Sequence, residues 1–432
     1  METARQKAIQ LLNDFKGEQY NFGFDIIDRL GAETAEIGKK VSIVVNITGK
    51  NWILPFLKKI ESSLFDYGIE FAVPYIPGAG KNTPIEDVIL IAENLKKQDP
   101  DIVISTGGGS TVDAVKAAIA LNCLGDKYPA IENYFGNGQI SSMLLSEKRK
   151  LTPHIAIMTA ASSAAHLTKY SNVTDIRTNQ KMLIIDEAII PSKALFDYSL
   201  TIYQPHDLTI DGAMDGISHS LEVLMGIPES KFEIAAPVCL TGIELIVNNL
   251  KKVVNDPEDI TAREAIALGT DLGGYAIMIG GTNGAHLNSF SFTDILSHGR
   301  ACALMNPYYV VFFANTIGKR LKKVATIYKE AGYIKENITD LEGRNLGIAL
   351  ADGMINLAGD IGFPVRLKDV KGYSEAHKNR CLKAAKNPKL KSKLENMPVS
   401  MSASNIDQFM GSILDAAECG EIRKVKNINQ AN

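Results

Sequence analysis

The chain has 432 residues, enough for two or three domains of ordinary size. Hydrophobic residues make up 45% of it and charged residues 22%, a globular balance that excludes a largely disordered chain. The net charge of −3 argues against binding to nucleic acid or to an acidic membrane surface. No apolar run approaches the roughly 18 residues that span a bilayer. Five scattered cysteines without a CxxC pair predict a reducing, cytoplasmic setting.

The first half of the chain alternates short β-branched runs with helical patterns. The predicted strands are Val41–Asn46, Glu70–Tyr75, Asp101–Thr106, His154–Met158 and Met182–Asp186. The predicted helices are Asn51–Phe65, Pro84–Lys97 and Ser110–Leu124. Apolar strands that alternate with helices are typical of a parallel sheet covered on both faces.

The pattern changes near Gln204–Pro205. Beyond this point almost no strand is predicted, and the periodicity indicates helices at Leu208–Met225, Ile234–Val254, Ala262–Ile279 and Gly299–Ala314. We therefore predict an α/β domain over residues 1–204 and an all-helical domain over residues 205–432. A basic run at Lys383–Lys393 is interpreted as a solvated face.

A glycine turn follows the third predicted strand. Gly107, Gly108 and Gly109 lie between this strand and the helix that begins at Ser110. Glycine lets a ligand approach the backbone closely, and a helix N-terminus offers unpaired N–H groups and a positive dipole end. The turn is neither a Walker A loop nor GxGxxG, but it predicts a phosphate or pyrophosphate site. The alternative is a plain strand-to-helix turn capped by Ser110.

One aspartate and three histidines form a second motif. Asp215 and His219 are four residues apart on a predicted helix, so their side chains share a face. His286 follows in a glycine-rich segment, and His298 lies just ahead of another apolar helix. One carboxylate and three imidazoles form a tetrahedral ligand set for Zn²⁺ or Fe²⁺. The alternative is a surface ion pair with unrelated structural histidines.

The two motifs complete the predicted fold class. It is α/β, with an N-terminal parallel-sheet nucleotide-binding domain followed by an all-α metal-binding domain.

With these motifs the chain resembles the iron-containing alcohol dehydrogenase family, the metal-dependent dehydrogenases related to dehydroquinate synthases. The resemblance covers nearly the whole chain, through GGGSTVD, MTAASSAAHLTKYSNVTD, DGAMDGISHSLE and HGRACALMNPYYVVFF. It implies an NAD- or NADP-dependent oxidoreductase that acts on CH–OH groups with a divalent metal. Hydride would pass between a small alcohol or aldehyde and the nicotinamide. The resemblance also implies a homo-oligomer, a dimer or larger.

The resemblance assigns particular residues to the metal and the nucleotide. The metal ligands would be Asp215, His219, His286 and His298. The glycine turn and Ser110 would hold the pyrophosphate. Further nucleotide contacts would come from Asn46, Asp113, Thr159, Ser163, Thr168 and Leu208. Asn46 stands where members that select NAD often carry an acidic residue, which leaves NAD and NADP both open.

The metal motif departs from the family pattern at two places. Phe290 stands where the family usually has a second histidine near the substrate, so proton relay or substrate polarity can differ. His286 and His298 are 12 residues apart, a shorter spacing than usual in the family. His286 is therefore the least secure ligand, and Asn288 or Asp294 are alternatives.

A third departure concerns the cofactor segment, which reads AASSAAH. It places His166 where the family has an acidic or polar residue. His166 is either a loop residue without a role or a proton carrier that replaces the histidine absent at Phe290. Residues around His166, Phe290, Phe292 and Tyr308 predict a pocket for a small, moderately apolar alcohol, and the physiological substrate stays open.

Three alternative functions remain at this point. Two keep the same fold: a dehydroquinate synthase-like enzyme and a glycerol-1-phosphate dehydrogenase-like enzyme, which use basic residues for acidic substrates. Asp215 as the first ligand and the weakly basic surroundings of His286–His298 favour the dehydrogenase. The third is a homologue that has lost catalysis and binds nucleotide only, which the absent histidine supports.

Overall fold

The computed structural model describes residues 3–47, 52–178, 180–399 and 401–428. The chain forms two compact units. One is Asn13–Pro205, and the other is His206–Asn432 together with the N-terminal residues up to Leu12. The sequence did not indicate that the N-terminal segment belongs with the helical unit. Its Arg5 pairs with Glu264, with 2.6 Å between Nε and Oε2.

The first unit is built on a parallel sheet. Its strands, in chain order, are β1 (Tyr20–Gly23), β2 (Lys40–Val45), β3 (Glu70–Phe71), β4 (Ile76–Pro77), β5 (Ile102–Gly107), β6 (Gly136–Asn137), β7 (His154–Met158), β8 (Tyr170–Asp175), β9 (Gln180–Ile185) and β10 (Lys193–Asp197). In the described residues the larger sheet has the order β1-β10-β7-β5-β2-β3, with β4 also paired to β2. All of these pairings are parallel.

The central strands are buried on both faces, because their side chains alternate between two apolar clusters. Val44 and Val103 face one cluster, and Ile43 and Ile104 face the other. The helices that lie wholly in this unit are α2 (Leu30–Ala35), α3 (Ile53–Asp66), α4 (Ile85–Gln98), α5 (Gly109–Leu124) and α6 (Gln139–Glu147), whereas most of α1 (Ala4–Lys16) belongs to the other unit. α1 extends into this unit from the N-terminal segment. This arrangement fits a parallel sheet with helices on its faces.

The second unit contains helices and no strand among its described residues. Its helices are α7 (His206–Gly226), α8 (Glu229–Asn255), α9 (Ile260–Ile279), α10 (Gly284–Ser289), α11 (His298–Glu330), α12 (Gly343–Asp360), α13 (Glu375–Ala385), α14 (Lys391–Glu395) and α15 (Ile406–Cys419). Every residue of α7 from Thr209 to Met225 is buried. α7 is therefore a central helix that the others surround.

The predicted fold class is confirmed, with a parallel-sheet unit and a helical unit. Two strand predictions were wrong in detail. Glu70–Tyr75 is not one strand but contains only the short β3, and β4 follows it. Met182–Asp186 corresponds to β9, which belongs to a separate small sheet and pairs antiparallel with β8. The predicted helix Asn51–Phe65 is α3, and Asn51 itself lies outside the described residues.

Among the described residues, no helix combines the length and the apolar character that crossing a bilayer requires.

Candidate functional site

The glycine turn connects β5 to α5 at the carboxyl edge of the parallel sheet. Gly108 is extended, with φ −79° and ψ −177°, and α5 begins at the next residue. The first N–H groups of a helix have no acceptor within it, so the turn offers donors and the positive end of the helix dipole. A Cβ on Gly109 would lie 2.3 Å from the Ser163 Oγ, whereas one on Gly108 would have its nearest neighbour at 4.0 Å. Ser163 therefore covers the backbone at Gly109, whereas the backbone at Gly108 leaves room for a ligand.

The segment that follows β7 packs against this turn. Thr159 N donates to the Gly107 carbonyl at 3.1 Å. Ser163 Oγ is buried and has no hydrogen-bond partner within the part of the chain that the structure describes. A buried hydroxyl of this kind, next to free helix N–H groups, suits a ligand oxygen. The predicted nucleotide residues Gly107–Ser110, Thr159 and Ser163 are therefore brought together.

Lys116, which sequence reasoning missed, fixes the remainder of this segment. Its Nζ lies inside the unit and donates to the carbonyls of Ala165, Thr168 and Tyr170 at 2.5, 2.7 and 2.8 Å. Burial lowers the pKa of Lys116 to about 8, while Asp113 raises it. Three backbone acceptors on one ammonium group hold the loop in a single shape. Thr168 is thus placed by its backbone, and its side chain is also buried.

The other predicted nucleotide residues occupy different surroundings. The Asp113 carboxylate accepts bonds from the backbone and side-chain nitrogens of Asn172, at 3.0 and 3.3 Å. Burial is the main cause that raises the pKa of Asp113. Asn46 directly follows β2, and Leu208 is exposed in the first turn of α7. Nucleotide contact by these three residues stays a prediction.

His166 lies inside the aromatic core of the first unit. Its Nε2 is 3.2 Å from the Tyr20 hydroxyl, and its ring packs against those of Tyr20 and Phe196. Burial lowers the pKa of His166 well below its ordinary value, so the neutral form is strongly favoured. A proton-carrying role for His166 stays a prediction, and this burial disfavours it.

The four predicted metal ligands come together in the helical unit. Asp215 and His219 lie one turn apart on α7, His286 lies on α10, and His298 is the first residue of α11. One ligand atom from each lies within 4.8 Å of those of the others. Asp215 Oδ2 is 3.8 Å from His219 Nε2, and Asp215 Oδ1 is 3.6 Å from His286 Nε2. These separations are close to the edge of about 3.4 Å in a tetrahedron with 2.1 Å bonds.

The donor chemistry also fits a divalent cation. The ring centroids of His219 and His286 are 4.9 Å apart, and those of His286 and His298 are 5.1 Å apart. Three of the four residues are buried, and His298 is half-buried. Clustered imidazoles and a carboxylate at this depth suit Fe²⁺ or Zn²⁺.

Gly299 sets how closely α7 and α11 approach. A Cβ at this position would lie 2.2 Å from the Asp211 carbonyl oxygen and 2.8 Å from the Asp215 Cβ. Only glycine fits this contact, which brings the first residue of α11 to the ligands on α7. Ser297 Oγ and Arg300 Nε both donate to the Asp211 carboxylate, at 2.5 and 2.7 Å. These bonds join the start of α11 to α7.

Glu222 orients His286, although sequence reasoning missed it. Its Oε1 is 2.7 Å from His286 Nδ1, and its Oε2 accepts the Asn283 N–H at 2.8 Å. A carboxylate on one imidazole nitrogen leaves the other, Nε2, to the metal. Burial raises the pKa of Glu222 to about 7. The sequence did carry one signal that could have pointed to Glu222, because it lies seven residues after Asp215 and so shares its helix face.

Asn288 and Asp294, the alternative ligands proposed because of the short spacing between His286 and His298, bond to other residues. Asn288 Oδ1 accepts a hydrogen bond from the Tyr309 hydroxyl at 2.7 Å. Asp294 pairs with Arg380 and with His377, whose Nε2 is 3.2 Å from Oδ2. Asp294 does not belong to the ligand cluster found among the described residues. Ligation by Asn288 or Asp294 stays a prediction, and these bonds to other residues disfavour it.

Phe290 lies against the ligands, but the other predicted pocket residues have different neighbours. The Phe290 ring stacks on His298, with 6.0 Å between centroids. Phe292 stacks on His377, and the Tyr308 hydroxyl donates to the Val365 carbonyl at 3.0 Å.

Lys393 contradicts its interpretation as part of a solvated face. It is only 5% exposed, and its Nζ donates to the Thr282 hydroxyl. Its Nζ also lies 5.7 Å from the centroid of the Phe290 ring. Lys391 on the same short helix is exposed, as predicted. Periodicity in a basic run cannot show which lysine turns inward, and this one adjoins the candidate metal centre.

Comparison with known families decides the affiliation. The family model described as "Iron-containing alcohol dehydrogenase" matches residues 17–198, and the one described as "Fe-containing alcohol dehydrogenase family, C-terminal" matches residues 209–412. The chain belongs to the iron-containing alcohol dehydrogenase family. The resemblance drawn from the sequence is confirmed, and with it the class of NAD(P)-dependent oxidoreductases acting on CH–OH groups.

Relatives and solved structures agree with this affiliation. The chain is 28% identical to the NADPH-dependent butanol dehydrogenase of Clostridium saccharobutylicum, over 79% of this chain and 83% of the relative. It is 26% identical to the NAD-dependent methanol dehydrogenase of Bacillus methanolicus, over 71% and 77% of the two chains. Its fold is similar to that of a 1,3-propanediol oxidoreductase, with a TM-score of 0.76 and 24% identity over 92% of this chain and 97% of the other.

Gly299→Ala tests the contact between α7 and α11. We expect the free energy of unfolding to fall by about 2–4 kcal/mol, because the added methyl group overlaps backbone that cannot move away. Chemical denaturation of the metal-free protein measures the effect. Gly359→Ala is the control, since a Cβ on that exposed residue of α12 meets no atom within 4 Å. Equal stability of Gly299→Ala and the wild type would contradict this account.

Glu222→Gln tests the orientation of His286. An amide cannot accept both the imidazole and the backbone N–H groups, so we expect divalent metal to bind about 10- to 100-fold more weakly. Competition with a chelator measures the affinity. Glu233→Gln, at an exposed position of α8, should leave it unchanged. Wild-type affinity in Glu222→Gln would show that Glu222 does not position the ring.

Proposed function

We propose that this protein is an iron- and nicotinamide nucleotide-dependent alcohol dehydrogenase that also reduces aldehydes. The observation that carries the proposal is the cluster of Asp215, His219, His286 and His298. The family affiliation supports iron over zinc, since the donor set itself accepts either. Small primary alcohols are the proposed substrates, because relatives are named for butanol, methanol and 1,3-propanediol.

The candidate ligands and their neighbours each have a defined part in the proposed mechanism. A bound divalent cation supplies Lewis acidity toward the substrate oxygen. Asp215 contributes the negative charge of the set, and the imidazoles bind through neutral nitrogens. Glu222 holds the proton on His286 Nδ1 and thereby fixes which nitrogen faces the cation. The Phe290 ring excludes water beside His298.

We propose that the glycine turn holds the pyrophosphate of the nucleotide. The N–H groups at the start of α5 would donate to it, with Ser110, Thr159, Ser163 and Thr168 around them. The nicotinamide would supply the hydride-transfer chemistry at the substrate carbon. In this proposal residues 1–204 serve the nucleotide and residues 205–432 serve the metal.

The alternative functions receive less support. The family models matched are those of dehydrogenases, which argues against a dehydroquinate synthase-like or glycerol-1-phosphate dehydrogenase-like enzyme. The complete ligand cluster argues against a homologue without catalysis. A homo-oligomeric state and a cytoplasmic setting remain predictions from the sequence.

Asp215→Ala and His219→Ala test the proposed function. We expect each to lose bound metal and to lower alcohol oxidation by about a thousandfold or more, because the Lewis acid is lost. Metal analysis and steady-state kinetics measure the two effects, and nucleotide binding should persist. Asp207→Ala is the control, since this aspartate is exposed on the same helix. Full activity of either ligand variant after metal stripping would refute the mechanism.

Asn46→Asp tests the choice of nucleotide. A carboxylate at this position repels the 2′-phosphate of NADPH, so we expect kcat/KM with NADPH to fall by about tenfold or more relative to NADH. Asn46→Ser, which adds no charge, serves as the control. If Asn46→Asp left the ratio of kcat/KM with NADPH to kcat/KM with NADH unchanged, residue 46 would not lie beside the ribose of the nucleotide.

A further inference from the structure

Lys393 is a buried cation that adjoins the candidate metal centre. Its side chain lies over the Phe290 ring, and that ring stacks on the ligand His298. The helix that carries it, α14, packs on α10, which carries His286. The carboxylates of Glu222 and Asp215 lie near enough to act on its charge. Lys393 is therefore part of the electrostatic surroundings of the ligands.

The Lys393 ammonium group donates to the Thr282 hydroxyl and lies 5.7 Å from the centroid of the Phe290 ring. Burial lowers the pKa of Lys393 to about 8, and the nearby Glu222, Cys302 and Asp215 raise it. A buried ammonium group is costly unless other charges compensate for it. It also repels any divalent cation at the four ligands, because charges interact strongly in a poorly solvated interior. With a divalent cation at the four ligands, the charge of Lys393 therefore favours a further anion at the centre.

The charges of the centre do not balance without such an anion. Glu222 and Asp215 bring one negative charge each, and Lys393 and a divalent cation bring three positive charges together. One positive charge is left over. If Glu222 were protonated, the excess would be larger, so its sign does not depend on Glu222. Without Lys393 the centre would carry one positive charge less.

We propose that Lys393 makes the candidate metal centre an anion-accepting site. Its fixed charge favours a small negatively charged ligand, such as the ionised hydroxyl oxygen of an alcohol whose proton has passed to water. The same charge opposes binding of the divalent cation. This inference rests on the proposed function, because it needs a cation at the four ligands.

The proposal predicts two shifts of opposite sign in Lys393→Met. We expect Co²⁺ to bind at least about tenfold more tightly and azide to bind the Co²⁺-loaded protein at least about tenfold more weakly. Chelator competition measures the first affinity, and titration of the Co²⁺ visible spectrum measures the second. A damaged site cannot produce this result, because damage weakens both.

Two control variants and a second test variant complete the experiment. Lys393→Arg keeps the charge and should leave both affinities near those of the wild type. Lys391→Met removes the same charge from the exposed side of α14 and should change neither. Lys393→Gln keeps a donor for Thr282 and should reproduce both shifts, which preserves the test if Lys393→Met does not fold.

Two outcomes overturn the inference and leave the proposed function standing. If both affinities fall in the uncharged variants, Lys393 serves only to hold α14 in place. If neither changes, its charge does not act on the centre. Failure of the wild-type protein to bind Co²⁺ at all would instead overturn the proposed function, and this inference with it.

Discussion

The hydrogen bonds of one buried carboxylate hold the candidate metal centre together. Glu222 belongs to α7, binds the His286 ring and the backbone at the start of α10, and lies 3.3 Å from the Asn306 side-chain nitrogen on α11. It thus connects the three helices that carry the ligands. Lys116 plays the corresponding part in the first unit, where one ammonium group binds three carbonyls. In both units one buried ionisable side chain fixes a segment through several hydrogen bonds, to backbone carbonyls for Lys116 and to a side chain and the backbone for Glu222.

The sequence predicted the fold well where hydrophobic periodicity was strong. β7 has the predicted bounds, α5 begins one residue earlier than predicted, and α7 begins two residues earlier and ends one residue later. β10 was missed because its sequence, KALFD, has little of the β-branched character of a strand. Its place between β1 and β7 comes from long-range pairing. The helix predicted to end at Ala314 continues as α11 past a non-helical residue, Ile317, which local propensity does not reveal.

The clustering of the four candidate ligands could be predicted because their spacing and residue types carry information. Asp215 and His219 are separated by one helical turn, and the two later histidines complete a familiar donor set. The surroundings could not be predicted in the same way. Glu222 acts through a contact with a residue 64 positions away, and Lys393 through contacts with helices far from it in sequence. Such roles depend on tertiary packing, which a single sequence does not display.

The unequal lengths of the ligand-bearing helices decide which ligand can move. α7 spans 21 residues and is buried from Thr209 to Met225, whereas α10 is a buried helix of only six residues that begins at the Asn283 cap. Short helices open locally at a much smaller cost than long buried ones. An ion leaving the protein is therefore expected to part from His286 first, while Asp215 and His219 keep their hold. Loss of the ion would thus depend on how readily α10 opens, and not on which metal–ligand bond is weakest.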